Sequence, residues 1–352
     1  MSNTYGNALK LSIFGQSHGP AIGMTLEGLP AGFAPDMEAL QNFLNRRAPG
    51  QGAHTTSRKE GDMPEFISGM VNGKTCGAPI CAVIPNTNTR SGDYDIMTQI
   101  PRPSHADYPA FVKYGTAHDG RGGGKFSGRL TAPLCIAGGL CLQLLEQKGI
   151  TIGAQILKIG KAENPRFDPL NPAIPSANAV PTEAMLQEIA EAKGDKDSIG
   201  GIIECAVTGL PAGLGEPMFD GLENRLAQIL FAIPAVKGVD FGSGFDCSGM
   251  RGSEHNDPYY INEDGKIQTR TNHAGGILGG ISTSMPLILR VAIKPTASIA
   301  RPQESVTYDG RGETLEIHGR HDPCIVPRAV PCVEAAAAVA ILDMILEARQ
   351  WS

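Results

Sequence analysis

Residues 331–349 read PCVEAAAAVAILDMILEAR. Ala and Leu favour a helix, and Pro331 suits a first turn, where no N–H is needed. The helix is expected to run to about Arg349. Apolar residues cover almost its whole circumference. A helix without a polar face must be packed inside the protein or an oligomer.

Shorter elements precede it, separated by polar, glycine-containing loops. Residues 11–14 and 22–26 read as strands flanking a turn. Residues 36–47 read as a helix with Leu40, Phe43 and Leu44 on one face. Residues 81–84 form a buried-strand candidate. Residues 128–148 read as an apolar helix that must start or kink at Pro133. Residues 152–159 and 202–207 read as strands, with an amphipathic helix over 182–193 between them. Residues 219–232 read as a helix with Leu222, Leu226 and Ile229 inward, and residues 291–293 end another strand. The Pro-, Asn- and Asp-rich segment 160–181 is a surface excursion. No internal repeat divides the chain, and the chemistry-bearing loops fall in both halves. One domain over residues 1–352 is expected.

The 352 residues carry a net charge of −6 and only 5% aromatics. An acidic balance and so few stacking platforms argue against nucleic acid as a partner. The apolar run 133–145 is too short to span a bilayer. The N-terminus lacks a basic region followed by an apolar run, so a cytoplasmic location is expected. The eight cysteines form no CxxC pair. Cys76, Cys81, Cys135 and Cys141 lie in apolar settings and read as buried thiols, and no metal site is expected.

Against this acidic background residues 102–129 stand apart. The stretch RPSHADYPAFVKYGTAHDGRGGGKFSGR holds three Arg, two Lys, two His and six Gly. Glycines let backbone N–H groups turn toward a ligand. Arg and Lys neutralise phosphate or carboxylate oxygens. His105 and His118 can carry a proton near neutral pH. The run GRGGGK is no Walker A motif, because Lys125 is followed by Phe126 and not Ser or Thr.

Five further loops share this character. Residues 15–20, GQSHGP, carry His18 and match G-x-S-x-G, the hydrolase nucleophile pattern, which would make Ser17 a nucleophile. Alone, the loop reads equally as a tight turn between strands. Residues 46–50, RRAPG, put Arg46 and Arg47 at a helix end, where the dipole favours cations anyway. Residues 272–280, NHAGGILGG, permit close backbone approach to a flat ligand. Residues 294–298, KPTAS, offer one cation and two hydroxyls. Residues 319–323, GRHDP, set Asp322 near Arg320 and Arg328, so that it can serve as a base or an orienting group.

Taken together, these loops resemble the chorismate synthase family. GQSHGP, RRAPG, RPSHADY, GRGGGK, LPAGLGEP, AVKGVDFGSGF, NHAGGILGGIS, KPTASI and GRHDPCIVPRAVP occur in the family's order between about Tyr5 and Arg349. The resemblance implies an α+β fold, a β-α-β sandwich with helices packed between antiparallel sheets, assembled as a homotetramer. It implies a lyase that converts 5-enolpyruvylshikimate 3-phosphate to chorismate and phosphate by 1,4-elimination, in aromatic amino acid biosynthesis. Reduced FMN is the implied cofactor, with NADPH entering only as an external or intrinsic source of electrons. A substrate with two carboxylates and a phosphate suits the arginine loops, and an elimination needs an acid and a base.

The resemblance carries roles onto single residues. His18 matches the proton donor to the leaving phosphate. His105 matches the imidazole beside the reduced flavin, and Asp322 the carboxylate near flavin N5. Arg46, Arg47 and Arg129 match substrate-contacting arginines. Lys125, Phe126, Ser127, Pro234, Ala235, Gly279, Lys294, Pro295, Thr296, Ala297, Ser298 and Arg320 fall on the flavin-contact loops. Several positions depart from the family pattern. Ala48 and Ala53 stand where Arg is frequent, Lys125-Phe126 where Arg-Ser is usual, Pro234 for Asn and Ala297 for Ser. Each removes a polar contact around flavin or phosphate, and a nicotinamide contact at Arg47 is affected with them. Two rival readings are a serine hydrolase using Ser17 and a non-catalytic flavin- or anion-binding protein.

Overall fold

The computed structural model describes residues 3–50, 61–87, 99–174, 180–317 and 322–348. In chain order the first part contains β1 (Thr4–Tyr5), β2 (Lys10–Gly15), β3 (Ala21–Glu27), α1 (Met37–Arg47) and β4 (Glu65–Ser68). A small hairpin of β5 (Met70–Val71) and β6 (Lys74–Thr75) leads to β7 (Ile80–Pro85). Then come α2 (Asp107–Tyr114), α3 (Thr131–Glu146), β8 (Thr151–Ile159), β9 (Ala162–Glu163), α4 (Glu183–Gly194) and β10 (Gly201–Thr208). The rest comprises α5 (Leu222–Leu230), β11 (Val236–Phe241), α6 (Gly252–His255), the paired strands β12 (Tyr259–Ile261) and β13 (Ile267–Thr269), and β14 (Ile277–Leu278) and β15 (Ile281–Ser282). It closes with β16 (Leu287–Ile293), the hairpin of β17 (Gln303–Val306) and β18 (Gly312–Leu315), and α7 (Val326–Ala348).

Two antiparallel five-stranded sheets carry the architecture, in the orders β1-β2-β3-β7-β4 and β11-β16-β10-β8-β9. Between them lie helices. α3 packs on β2, β3 and β7 of the first sheet, α7 packs on β8 and β10 of the second, and the two helices pack on each other. This is the β-α-β sandwich the resemblance implies. On the outer face of the second sheet, Phe167 and Ile174 from the 160–174 segment cover Ala206 and Ile288. The surface excursion thus seals a sheet face as well as running over it.

Local chemistry explains where the helices start. Asp36 caps α1 by accepting from the Ala39 N–H, and Thr182 caps α4 by accepting from Met185 N–H. Pro133 sits in the first turn of α3, where it costs nothing. The expected start of the last helix at Pro331 is corrected. The helix begins at Val326, so Pro327 occupies the first turn and Pro331 lies inside. Pro331 lacks the N–H that would bond Pro327, and the surrounding burial compensates for that one missing bond.

α7 is 23 residues long and apolar enough to cross a membrane by length and composition, yet it is sheathed by protein from Val326 to Met344. It carries two carboxylates into that sheath, and both are saturated. Glu334 takes Arg46 Nη1 and Nη2 at 2.7 and 2.9 Å and the Ala154 N–H at 3.0 Å. Asp343 accepts from the Asn7, Ala8 and Leu9 N–H groups and from Arg225. A buried carboxylate needs such partners. Each one pins a different segment to the helix, the end of α1 and β8 at one level and the N-terminal strands at the other.

The cysteine expectation holds in part. Of the four thiols expected to be buried, Cys135 and Cys141 are, Cys81 is half-buried and Cys76 is exposed. Cys76 follows the small hairpin of β5 and β6 and not a core strand, which its apolar neighbours do not reveal.

The two central helices touch at Gly138. A Cβ built there would stand 2.3 Å from the Cα and Cβ of Ala335. Gly138→Ala therefore sets two effects against each other. Helix propensity favours Ala by about 1 kcal/mol. Forcing a methyl into packed backbone costs roughly 1–3 kcal/mol. The clash should win, and urea denaturation should show a lower midpoint for the variant. A higher midpoint would mean that the helices separate without penalty.

Candidate active site

The predicted chemistry gathers around one glycine turn. Gly122, Gly123 and Gly124 all have positive φ, at 58°, 84° and 52°. A Cβ on Gly122 would lie 2.3 Å from His18 Cε1 and Nδ1, and 2.8 Å from Ser17 Oγ. A Cβ on Gly123 would lie 3.3 Å from His105 Nε2. The two imidazoles singled out in the sequence therefore flank consecutive residues of the same turn. Only glycine permits both the backbone conformation and the approach. Ser17 N–H donates to Gly124 O at 3.1 Å, fixing the 15–20 turn on the glycines.

His105 belongs to a charged triplet. Its Nδ1 lies 2.5 Å from Asp107 Oδ1 and 3.0 Å from Arg102 Nη2. Arg102 also grips Asp107 with Nε at 2.7 Å and Nη2 at 2.8 Å. Arg102 only donates and an ionised Asp107 only accepts, so the short contact to Asp107 requires the hydrogen on Nδ1. The Nε2 lone pair then faces the glycine turn as a proton acceptor. Burial lowers the His105 pKa below the usual imidazole value, and Arg102 and Lys294 push in the same direction, against Asp107. Burial alone would raise Asp107, but hydrogen bonds from Arg102 and His105 outweigh it and hold the carboxyl well below its ordinary range.

The contacts continue from this triplet around a closed circuit. Arg102 Nη1 donates to Ser298 Oγ at 3.0 Å. On the same loop Thr296 Oγ1 donates to the Asp322 carbonyl at 3.1 Å. The Asp322 carboxylate pairs with Arg328, whose Nε donates to the Arg47 carbonyl at 3.0 Å. Arg47 Nη1 stands 3.0 Å from Asp62 Oδ2, and Asp62 Oδ1 receives Arg129 Nη1 at 2.8 Å. Arg129 Nε donates to Asn86 Oδ1 at 2.9 Å. Asn86 Nδ2 in turn donates to Gln16 O and Gly19 O at 3.0 and 2.8 Å, back at the turn that holds His18. Residues at strand ends of both sheets, from α1, from the turn before α3 and from α7 thus share one site. Around this circuit stand Arg47, Arg102, Arg129, Arg328 and Lys294 against Asp62, Asp107 and Asp322, a surplus of two positive charges.

Most of the residues expected to contact flavin lie on loops around this circuit, and one lies apart from it within the chain. Ser127 caps the turn that presents Arg129. Ala235, at φ 74°, accepts from the Lys294 N–H at 2.9 Å, and Pro234 precedes it. Lys294 Nζ holds Ser104 through O and Oγ at 2.8 and 3.1 Å, and burial lowers its pKa. Pro295, Thr296, Ala297 and Ser298 follow on that loop. Lys125 Nζ lies 4.0 Å from the Tyr114 ring centre, and Phe126 packs edge-on to His118 at 5.7 Å. Gly279 is elsewhere. Its turn packs on residues 215–222 near the Leu287 end of β16, whereas Lys294 leaves the Ile293 end. Seven residues of strand separate them, roughly 20 Å at strand rise. Arg46 is committed to Glu334 and to the Phe43 ring. Arg320 lies outside the described residues.

Sequence reasoning missed Asp62 and Asn86. Neither has a local signal, since both matter only through arginines that arrive from other segments. Glu334 was detectable, because a carboxylate inside an apolar helix has to be paired.

Of the remaining questions, the Ser17 hydrolase reading fails on topology. Both main sheets are antiparallel, and residues 15–20 join two antiparallel strands. A nucleophile elbow needs a strand leading into a helix.

Comparisons with known proteins point to one family. A family model described as chorismate synthase matches residues 9–346. A chorismate synthase of Korarchaeum cryptofilum is 46% identical and aligns over 98% of both chains. One from Lancefieldella parvula is 45% identical, covering 97% of this chain and 96% of its own. A crystal structure of a chorismate synthase superposes with a TM-score of 0.75 at 27% identity, over 97% of this chain and 93% of its own.

A pH titration follows from the triplet. His105 should titrate below about 6.5, the free imidazole value. Asp107→Asn removes the carboxylate that holds the value up, so the midpoint should fall further. Histidine NMR shifts of both proteins would check this, and a midpoint that rises in the variant would overturn the arrangement. Because the folded pKa is the lower one, His105's neutral form favours the native state. That contribution is complete above the unfolded pKa and is lost as the pH falls through the folded value.

Proposed function

The chain belongs to the chorismate synthase family, and we propose that it is the lyase that turns 5-enolpyruvylshikimate 3-phosphate into chorismate and phosphate. The observation that carries this reading is the pair of imidazoles on one glycine turn inside a circuit with surplus positive charge. The substrate offers two carboxylates and a phosphate to that charge. Losing phosphate and a ring proton requires proton transfer on both sides of the ring, and one acid and one acceptor are at hand.

His18 protonates the departing phosphate. It is buried beside Ser17, where the leaving oxygen meets little competing water. Arg129 and Arg47 bind anionic oxygens, and their carboxylate and amide partners hold them in place before substrate arrives. His105 presents Nε2 toward the glycine turn. Asp322 stays aligned through Arg328 and through its carbonyl bond with Thr296.

Reduced FMN fits the residues present. Ser127, Ala235, Lys294, Thr296 and Ser298 supply donors and backbone on the loops around the glycine turn, next to the positive charge of Arg102 and Lys294. When bound, the reduced flavin supplies the electron-rich partner that lets both bonds break with no net redox change. NADPH remains a source of electrons only. Residues 1–352 act as one domain, in the cytoplasm, as a homotetramer. A core that runs without a break from the first sheet to the second supports the single domain. Free cysteines fit a reducing compartment. Exposed Met218, Phe219 and Leu278, on segments that meet at Gly221 and Gly280, offer apolar surface for self-association.

The test is anaerobic turnover with chemically reduced FMN, followed by chorismate absorbance and phosphate release. Both products should appear in equal amounts. His18→Ala and His105→Ala should each slow turnover by roughly 10²–10⁴-fold. Tight flavin binding without phosphate release would leave only the flavin- or anion-binding reading.

Substrate affinity gives a second check. Arg129→Lys keeps the charge and loses the two-pronged geometry that meets Asp62 and Asn86. The substrate KM should rise. An unaltered KM would show that the anion does not meet this residue.

A further inference from the structure

We infer that Asp62 is a positioning residue for the anion site: it clamps Arg47 and Arg129 side by side so that both address one substrate anion. The inference rests on the anionic substrate proposed above. Asp62 is 2% exposed and reaches the circuit from the segment before β4. Its Oδ1 accepts a hydrogen bond from Arg129 Nη1 at 2.8 Å, and its Oδ2 is ion-paired with Arg47 Nη1 at 3.0 Å. Those arginines come from the last turn of α1 and from the short turn leading into α3. Their side chains are 3% and 6% exposed. Two buried cations this close repel each other strongly, because little water screens them. A shared carboxylate converts that repulsion into a fixed fork.

The backbone at Asp62 adds a second argument. Its φ is +40°, in the left-handed region. Asp and Asn are the non-glycine residues that enter it most readily. The chain therefore holds an unfavourable conformation at a position whose side chain makes no use of solvent. What that conformation achieves is the placement of one carboxylate between the two guanidiniums.

The clamp has a cost, since Asp62 also opposes anion binding. Removing its charge could strengthen long-range attraction or loosen the fork. In a buried site the geometry should dominate, because charge-assisted hydrogen bonds depend steeply on alignment. The fork is already formed before substrate binds, so the effect belongs in affinity more than in the chemical step.

Asp62→Asn isolates the charge, because Asn keeps the shape and tolerates the same φ. The variant should melt cooperatively and bind reduced FMN. Its substrate KM should rise about tenfold or more, the loss expected for misaligned charged hydrogen bonds, while kcat per active site stays within about threefold. A purely structural role would lower the active fraction and leave KM unchanged. Calorimetric titration of the substrate, and separately of inorganic phosphate, reads the affinity without turnover. If the wild type makes no chorismate, the functional reading fails, yet weaker anion binding by Asp62→Asn would still uphold the clamp. Unchanged or tighter anion binding overturns it. Should Asp62→Asn not fold, Asp62→Gly relieves the backbone and takes its place in the same titrations.

Discussion

Helix α7 has no face toward water, and the rest of the protein is arranged around that fact. Burying a helix on all sides needs structure on all sides, and two antiparallel sheets with α3 between them provide it. The two acids on the helix turn this requirement into a specific fit. Glu334 can be accommodated only with Arg46 and the Ala154 N–H in place, and Asp343 only with Arg225 and three successive N–H groups. Leaving either partnerless would strand a charge in the core. The carboxylates therefore add little to net stability but strongly disfavour a slipped or rotated helix. The close contact of Gly138 with Ala335 sets the remaining degree of freedom, the distance between α3 and α7.

That register has consequences for the site. The start of α7 carries Arg328, the end of α1 carries Arg47, and the turn before α3 carries Arg129. These three elements pack on one another in the core, so their ends emerge at one place. The arginines meet there by geometry, and three carboxylates manage their charges. Asp62 joins Arg47 to Arg129, Asp322 joins Arg328 to the Thr296 loop, and Asp107 joins Arg102 to His105. Each acid takes part in at least two interactions. Such a network holds its cations in fixed positions, which suits a polyanion without much reorganisation.

The departures from the family pattern look different once placed. Lys125 and Phe126 do not leave a gap. The ammonium lies on the Tyr114 ring, and Phe126 packs on His118. These aromatic contacts stiffen the loop that carries Gly122–Gly124 by packing. Ala297 sits between two hydroxyl residues that both have partners, Thr296 on Asp322 and Ser298 on Arg102. The loop remains tied at both sides of the missing hydroxyl.

Much of this was legible in the residues. The all-round apolar helix, the strand pair around the 15–20 turn and the two inward-facing stripes of α1 and α5 all follow from periodicity, which is a local property. The functional loops were recognisable too, because glycine, arginine and histidine at short spacing have few other uses. Three things needed the tertiary structure. The true start of α7 is set by burial that tolerates Pro331 inside the helix. The separation of Gly279 from the Lys294 loop depends on which way β16 runs. The pairing of Asp62 with two arginines depends on three elements converging. The sequence alone thus determined which side chains could do the chemistry, since residue type and spacing limit that directly. Only the fold decided which of them share a site and which acid holds which cation, because such contacts form between segments that are distant in the chain and brought together by packing.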